Sequence, residues 1–94
     1  MYEYILFLEM APENIPEEHR AKSNGPKFKP LEFINPLSIG DEVNLAEVYL
    51  GKVSRIYHTH DGNEHKSTDV WIDTKESSDI PQCLSRLEKL IERW

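Results

Sequence analysis

The chain has 94 residues, 17 acidic and 11 basic side chains, a net charge of -6 with His neutral, and 38% hydrophobic and 30% charged composition. That balance suits one hydrophobic core and not two, and it disfavours direct nucleic-acid binding, which rests on Lys and Arg at the phosphate backbone. The lone Cys83 cannot close an internal disulfide, and the apolar run at residues 4–8 sits between Glu3 and Glu9, too short and wrongly charged for a signal peptide or bilayer span. A single domain over residues 1–94, cytoplasmic and without membrane contact, is expected.

Residues 2–10, YEYILFLEM, are aromatic and branched with no Gly or Pro, the pattern of a central strand buried on both faces at its middle. Residues 12–38 then hold five of the six prolines and an Asn24-Gly25-Pro26 turn signal. A long loop follows from this, with residues 29–34 as its one strand candidate and Phe28 and Phe33 as its anchors. Its bases His19, Arg20, Lys22, Lys27 and Lys29 are opposite in sign to the acidic segment further on, so a fold-back clamp is a second expectation.

Alternation of Val43 and Leu45 against Glu42 and Asn44 marks a strand over residues 42–49. Residues 48–59 and 66–75 make the clearest hairpin, joined near Asp61-Gly62, a dipeptide tolerant of positive φ. In its second arm Thr68, Val70, Ile72 and Thr74 share one face, and Asp69, Trp71 and Asp73 the other. From residue 80 the period lengthens: Cys83, Leu84, Leu87, Leu90, Ile91 and Trp94 form one stripe of an amphipathic helix over 80–94 that packs on the sheet, with Asp79 as N-cap and Pro81 in its first turn. These elements add up to an α+β, mostly β, fold of four to five strands in a small curled antiparallel sheet with one C-terminal helix. Its strand rhythm resembles an SH3-like barrel, which is a statement about fold and not function.

Two constellations carry chemistry. His58, His60 and His65 surround one turn, and an even-length loop puts all three on one sheet face together with Asp69 and Trp71. Imidazoles with a carboxylate are a ligand inventory for Zn²⁺ or Ni²⁺, and clustered histidines also respond to pH. Gly62 and Asn63 stand where the H-x-H-x-D-H run of metallo-β-lactamase-type hydrolases needs Asp and His, so no hydrolase is inferred. No Gly-rich phosphate cradle occurs, and Cys83, on the helix's apolar side, reads as a small hydrophobe; a non-enzyme is expected.

The second constellation is Asp69, Trp71, Asp73 and Glu76. Residues 61–79 hold six acids and two lysines, so most of the net charge is concentrated there. A Trp between carboxylates suits an interface with a larger protein bearing a basic surface, since Trp supplies contact area and the acids select Lys or Arg. The leading expectation is therefore a small acidic protein-interaction module, a regulator, adaptor or inhibitor such as bacterial and phage accessory proteins, without cofactor. The alternative is a metal- or pH-responsive domain using the three histidines, with Zn as its ion. A nucleic-acid-binding barrel is third, and requires Lys22, Lys27, Lys29, Lys52 and Arg55 to gather in one basic patch.

Overall fold

The structure, a computed structural model, describes residues 1–19, 25–77 and 80–94. Seven strands form one open, curled sheet: β1 (Tyr2–Glu9), β2 (Lys27–Phe28), β3 (Leu31–Phe33), β4 (Glu42–Leu45), β5 (Val48–Asp61), β6 (Glu64–Asp73) and β7 (Ile91–Arg93). Their order is β4-β5-β6-β1-β2-β7, with β3 also on β1. The strand-rich class and the C-terminal helix agree with the sequence pattern; the number of strands exceeds the expected four to five.

The apolar run of β1 lies at the middle of the sheet, and its pairing with β6 is parallel, from Ile5 opposite Asp69 to Glu9 opposite Asp73. The sheet is thus mixed, because a strand at the chain's start and one near its end meet without a tight turn to impose antiparallel direction. Alternation sends Tyr4, Leu6, Leu8 and Met10 into the core, where they meet Val70 and Ile72 of β6, Leu50 and Val53 of β5, and Phe28. Each such aliphatic side chain removed from water contributes roughly 1.5–3 kcal/mol.

Phe28 is fully buried and Phe33 packs edge-on against Tyr4 with centroids 5.6 Å apart, so both anchor the long loop as expected. The Tyr4 hydroxyl accepts the Leu37 N–H at 3.0 Å, tying down the loop's far end. The clamp on the acidic hairpin is not formed by the described bases. Lys27 pairs with Glu92 at 3.2 Å, and the His19 ring stacks on Trp94 at 4.6 Å. Arg20, Lys22 and Asn24 lie outside the described residues, as does Asp79, the expected N-cap.

Two local expectations are corrected. The strand over residues 42–49 breaks into β4 and β5, joined by Ala46 and Glu47, both at positive φ (49° and 67°). Ala-Glu carries no Gly, Asn or Asp to announce such a turn. The C-terminal helix is short: α1 spans Ile80–Arg86, a 3₁₀ turn follows at Glu88–Leu90, and the last residues enter the sheet as β7 beside β2. The stripe still faces inward, with Ile80, Leu84 and Leu87 buried and Cys83, Leu90, Ile91 and Trp94 packed against them. The helix yields because β2 has an edge to satisfy: Lys29 donates its N–H to the Leu90 carbonyl at 2.8 Å, and Ile91 takes its place opposite Phe28.

Candidate functional site

The helix covers one face of the sheet, and the opposite face is open. On that face Asp69, Trp71 and Asp73 of β6 stand half-buried, while Val70 and Ile72 are fully buried beneath. Trp71 therefore lies on the face opposite Val70 and Ile72 and is partly exposed.

A row of side chains crosses three strands here. Phe7 of β1 is directly opposite Trp71, with rings stacked at 4.8 Å and 13° between planes. On the other side Arg55 of β5 lies with its guanidinium 4.9 Å from the Trp71 ring. The Trp is held between an aromatic ring and a cation, an arrangement matching the spacing of neighbouring strands. Lys27 of β2, in register with Phe7, extends the row.

Arg55 reaches this position through a bulge. Val53 pairs with Ile72 but Arg55 with Trp71, so Ser54 is an extra residue in β5 and every later side chain of that strand changes register. The bulged Ser54 is itself used: its hydroxyl donates to Glu9 Oε1 at 2.6 Å and lies 3.1 Å from the Trp71 carbonyl oxygen. Glu9 Oε1 also accepts from Arg55 Nη2 at 3.2 Å, and Arg55 Nη1 reaches the Tyr57 hydroxyl at 3.4 Å. The Tyr57 hydrogen bond, then Glu9, hold the guanidinium pKa above its ordinary value.

Charge on this face is more balanced than the sequence suggested. Glu9 is matched by Arg55, and Glu76, placed in the turn after β6, pairs with Lys52 at 3.3 Å. Asp73 accepts the Lys75 N–H at 2.9 Å. The Asp69 carboxylate has no hydrogen-bond or ion-pair partner among the described residues and lies beside Trp71 and the exposed Tyr57. Of the bases required by a nucleic-acid reading, Lys27, Lys52 and Arg55 are each paired with a carboxylate, Lys29 has no ion pair among the described residues, and Lys22 lies outside them.

The hairpin tip sits on the other side of the sheet. Its loop is the two residues Gly62 and Asn63, with Gly62 at φ +64° and Asp61 opposite Glu64. His58, His60 and His65 do gather, His60 and His65 at 5.1 Å between ring centroids and His58 and His65 at 6.2 Å. Asp69 and Trp71 do not join them. A second bulge, at Lys66, makes His60 oppose His65 while His58 opposes Thr68, and this one-residue shift places the rings on the core side, with Asp69 and Trp71 on the open face. His65 Nε2 is 2.9 Å from the Thr68 hydroxyl, and His58 Nδ1 is 3.4 Å from it. Both rings line a cleft of about 790 Å³ with Tyr2, Tyr4, Ile56 and Thr68. Among the described residues no three His, Cys, Asp or Glu side chains already surround a point where a metal ion could sit.

Of the sequence-derived candidates, Asp69, Trp71 and Asp73 thus share a face, while Glu76 lies at its border. Phe7, Glu9, Ser54 and Tyr57 were missed, and Arg55 was singled out only as a member of a basic patch. The unbroken apolar run of β1 pointed to burial on both faces, but only Tyr4, Leu6 and Leu8 are buried while Ile5 and Phe7 stay partly exposed on the open face, so the sequence did not set Phe7 apart; Ser54 and Arg55 depend on a bulge that period-two counting passes over. No protein-family model, curated protein or solved structure matches the chain. Among the described residues no helix is long and apolar enough to cross a membrane.

Proposed function

We propose that this protein is a small interaction module that binds a larger protein through the open face of its sheet, with Trp71 at the centre of the contact. The observation that carries the reading is the row of Phe7, Trp71 and Arg55, fixed from behind by Glu9 and Ser54. Rigid aromatic and Arg side chains lose little conformational freedom on binding, which is why they dominate the energetics of interfaces. Asp69, unmatched beside the row, selects a Lys or Arg on the partner. The balanced charge elsewhere on the face narrows this preference to a local basic group within a mixed surface. Acting as a regulator, adaptor or inhibitor requires only occupation of the partner's surface, and no catalytic group is needed for it.

The test is capture from a lysate of the source organism with wild type, Trp71→Ala and Asp69→Lys side by side, followed by titration with the purified partner. Loss of affinity by about tenfold or more in Trp71→Ala, with an unchanged circular dichroism spectrum, supports the reading. A partner retained equally by all three proteins refutes this face as the site.

A further inference from the structure

The histidine cluster at the tip of β5 and β6 plays no part in the open-face reading, and it has a geometry of its own. We propose that it is a binding site for one divalent transition-metal ion of the imidazole-preferring kind, Zn²⁺, Ni²⁺ or Cu²⁺, seated on His60 and His65 and closed by His58.

The seat is the directly opposed pair His60 and His65. With each ligating nitrogen about 2.1 Å from an ion and the ring centre a little over an ångström further out, two imidazoles at a tetrahedral angle have centroids roughly 5 Å apart. The observed separation is 5.1 Å. The strands that hold these two residues are pinned by the two-residue loop at Gly62 and Asn63, so the spacing is a property of the backbone ladder as much as of the rotamers. The ring of His58 is 6.2 Å from that of His65, about one ångström beyond the spacing of the seat, and as they stand the three do not surround a common point. All three rings are exposed, and closing the gap takes a side-chain rotation in water and no repacking.

Thr68 supplies the supporting contact. Its side chain is buried, its hydroxyl is 2.9 Å from His65 Nε2, and this bond directs the ring and leaves Nδ1 as the ligating nitrogen. Metal-binding histidines commonly have the second nitrogen engaged in this way. His58 is held to the same hydroxyl only at 3.4 Å, a contact weak enough to give up. The bulge at Lys66 turns Asp69 to the other face, so the set is all imidazole, with water completing the coordination. Such a set suits Zn²⁺, Ni²⁺ or Cu²⁺ and not Ca²⁺ or Mg²⁺, which require oxygen ligands. Lys66, next to His65 in the chain, pairs with Glu64 at 3.4 Å.

The experiment is calorimetric titration of the full chain with Zn²⁺ and Ni²⁺, with Ca²⁺ as the hard-cation control, together with histidine ring NMR. Variants are His60→Gln, His65→Gln, Thr68→Val and, as a histidine outside the cluster, His19→Gln. Expected are one-to-one saturable uptake at micromolar metal and perturbation of the His58, His60 and His65 rings alone. Affinity falls at least about tenfold in His60→Gln and His65→Gln and about tenfold in Thr68→Val, and is unchanged in His19→Gln. Trp71→Ala should take up metal like wild type, which separates this test from that of the open face. Absence of saturable uptake, or uptake indifferent to His60→Gln and His65→Gln, overturns the proposal.

Discussion

The turn between β4 and β5 offers a sharp test of the backbone. Ala46 and Glu47 occupy left-handed conformations with φ of 49° and 67°, both side chains are exposed, and neither takes part in a hydrogen bond or ion pair among the described residues. For residues with a Cβ that conformation costs about 1 kcal/mol each, because Cβ crowds the following carbonyl oxygen. Replacing the pair by Asn-Gly, which tolerates this geometry, removes about 2 kcal/mol of strain. The greater freedom of Gly in the unfolded chain takes back about 0.5–1 kcal/mol. The net expectation is a gain of about 1 kcal/mol, or a rise in Tm of about 4–8 °C for a chain of this size. Urea and thermal unfolding of wild type, Ala46→Asn/Glu47→Gly and the opposite perturbation Ala46→Val measure it. The m value should stay constant, since the exposed surface does not change. A double variant no more stable than wild type, or an Ala46→Val variant no less stable, would refute the two-residue left-handed turn.

Two further outcomes follow from other parts of the sheet. Gly51 has φ +148° and a Cβ there would run into the Asp73 carbonyl oxygen, so Gly51→Ala should cost about 3 kcal/mol or more, read as a large fall in the urea midpoint. An alanine accepted there without loss would mean that β5 and β6 do not approach as closely as they do here. Tyr49 has its pKa raised, first by partial burial and then by the Glu42 carboxylate to which its hydroxyl donates at 3.3 Å. A folded-state pKa above the unfolded one means that its contribution is complete below about pH 10 and is lost as pH rises through the folded value. In an ultraviolet titration Tyr49→Phe should remove a component that ionises above the ordinary tyrosine range; a Tyr49→Phe protein with no such loss relative to wild type would dismiss the assignment.

Much of this architecture is carried by local pattern. The division of β6 into Val70 and Ile72 on one face and Asp69, Trp71 and Asp73 on the other, and the shared stripe of Leu84 and Leu87, are consequences of periods two and three to four, which any short stretch of chain expresses by itself, although the period does not name which face is covered. The gathering of the three histidines at a tight turn was legible for the same reason, as Gly62 announces the loop.

Tertiary structure decided what lies opposite what. Bulges at Ser54 and Lys66 are not visible in either strand alone, because an extra residue is defined only against the partner's ladder; the first sets Arg55 on Trp71, and the second parts the histidines from Asp69. The parallel pairing of β1 with β6 joins residues distant in the chain and places Phe7 on Trp71. The final turns of an amphipathic segment became β7 because the edge of β2 presented backbone groups that the helix did not supply with partners. Periodicity within the chain thus determined which neighbouring side chains share a face, while hydrogen-bond satisfaction between distant strands determined which face is covered and which residues meet.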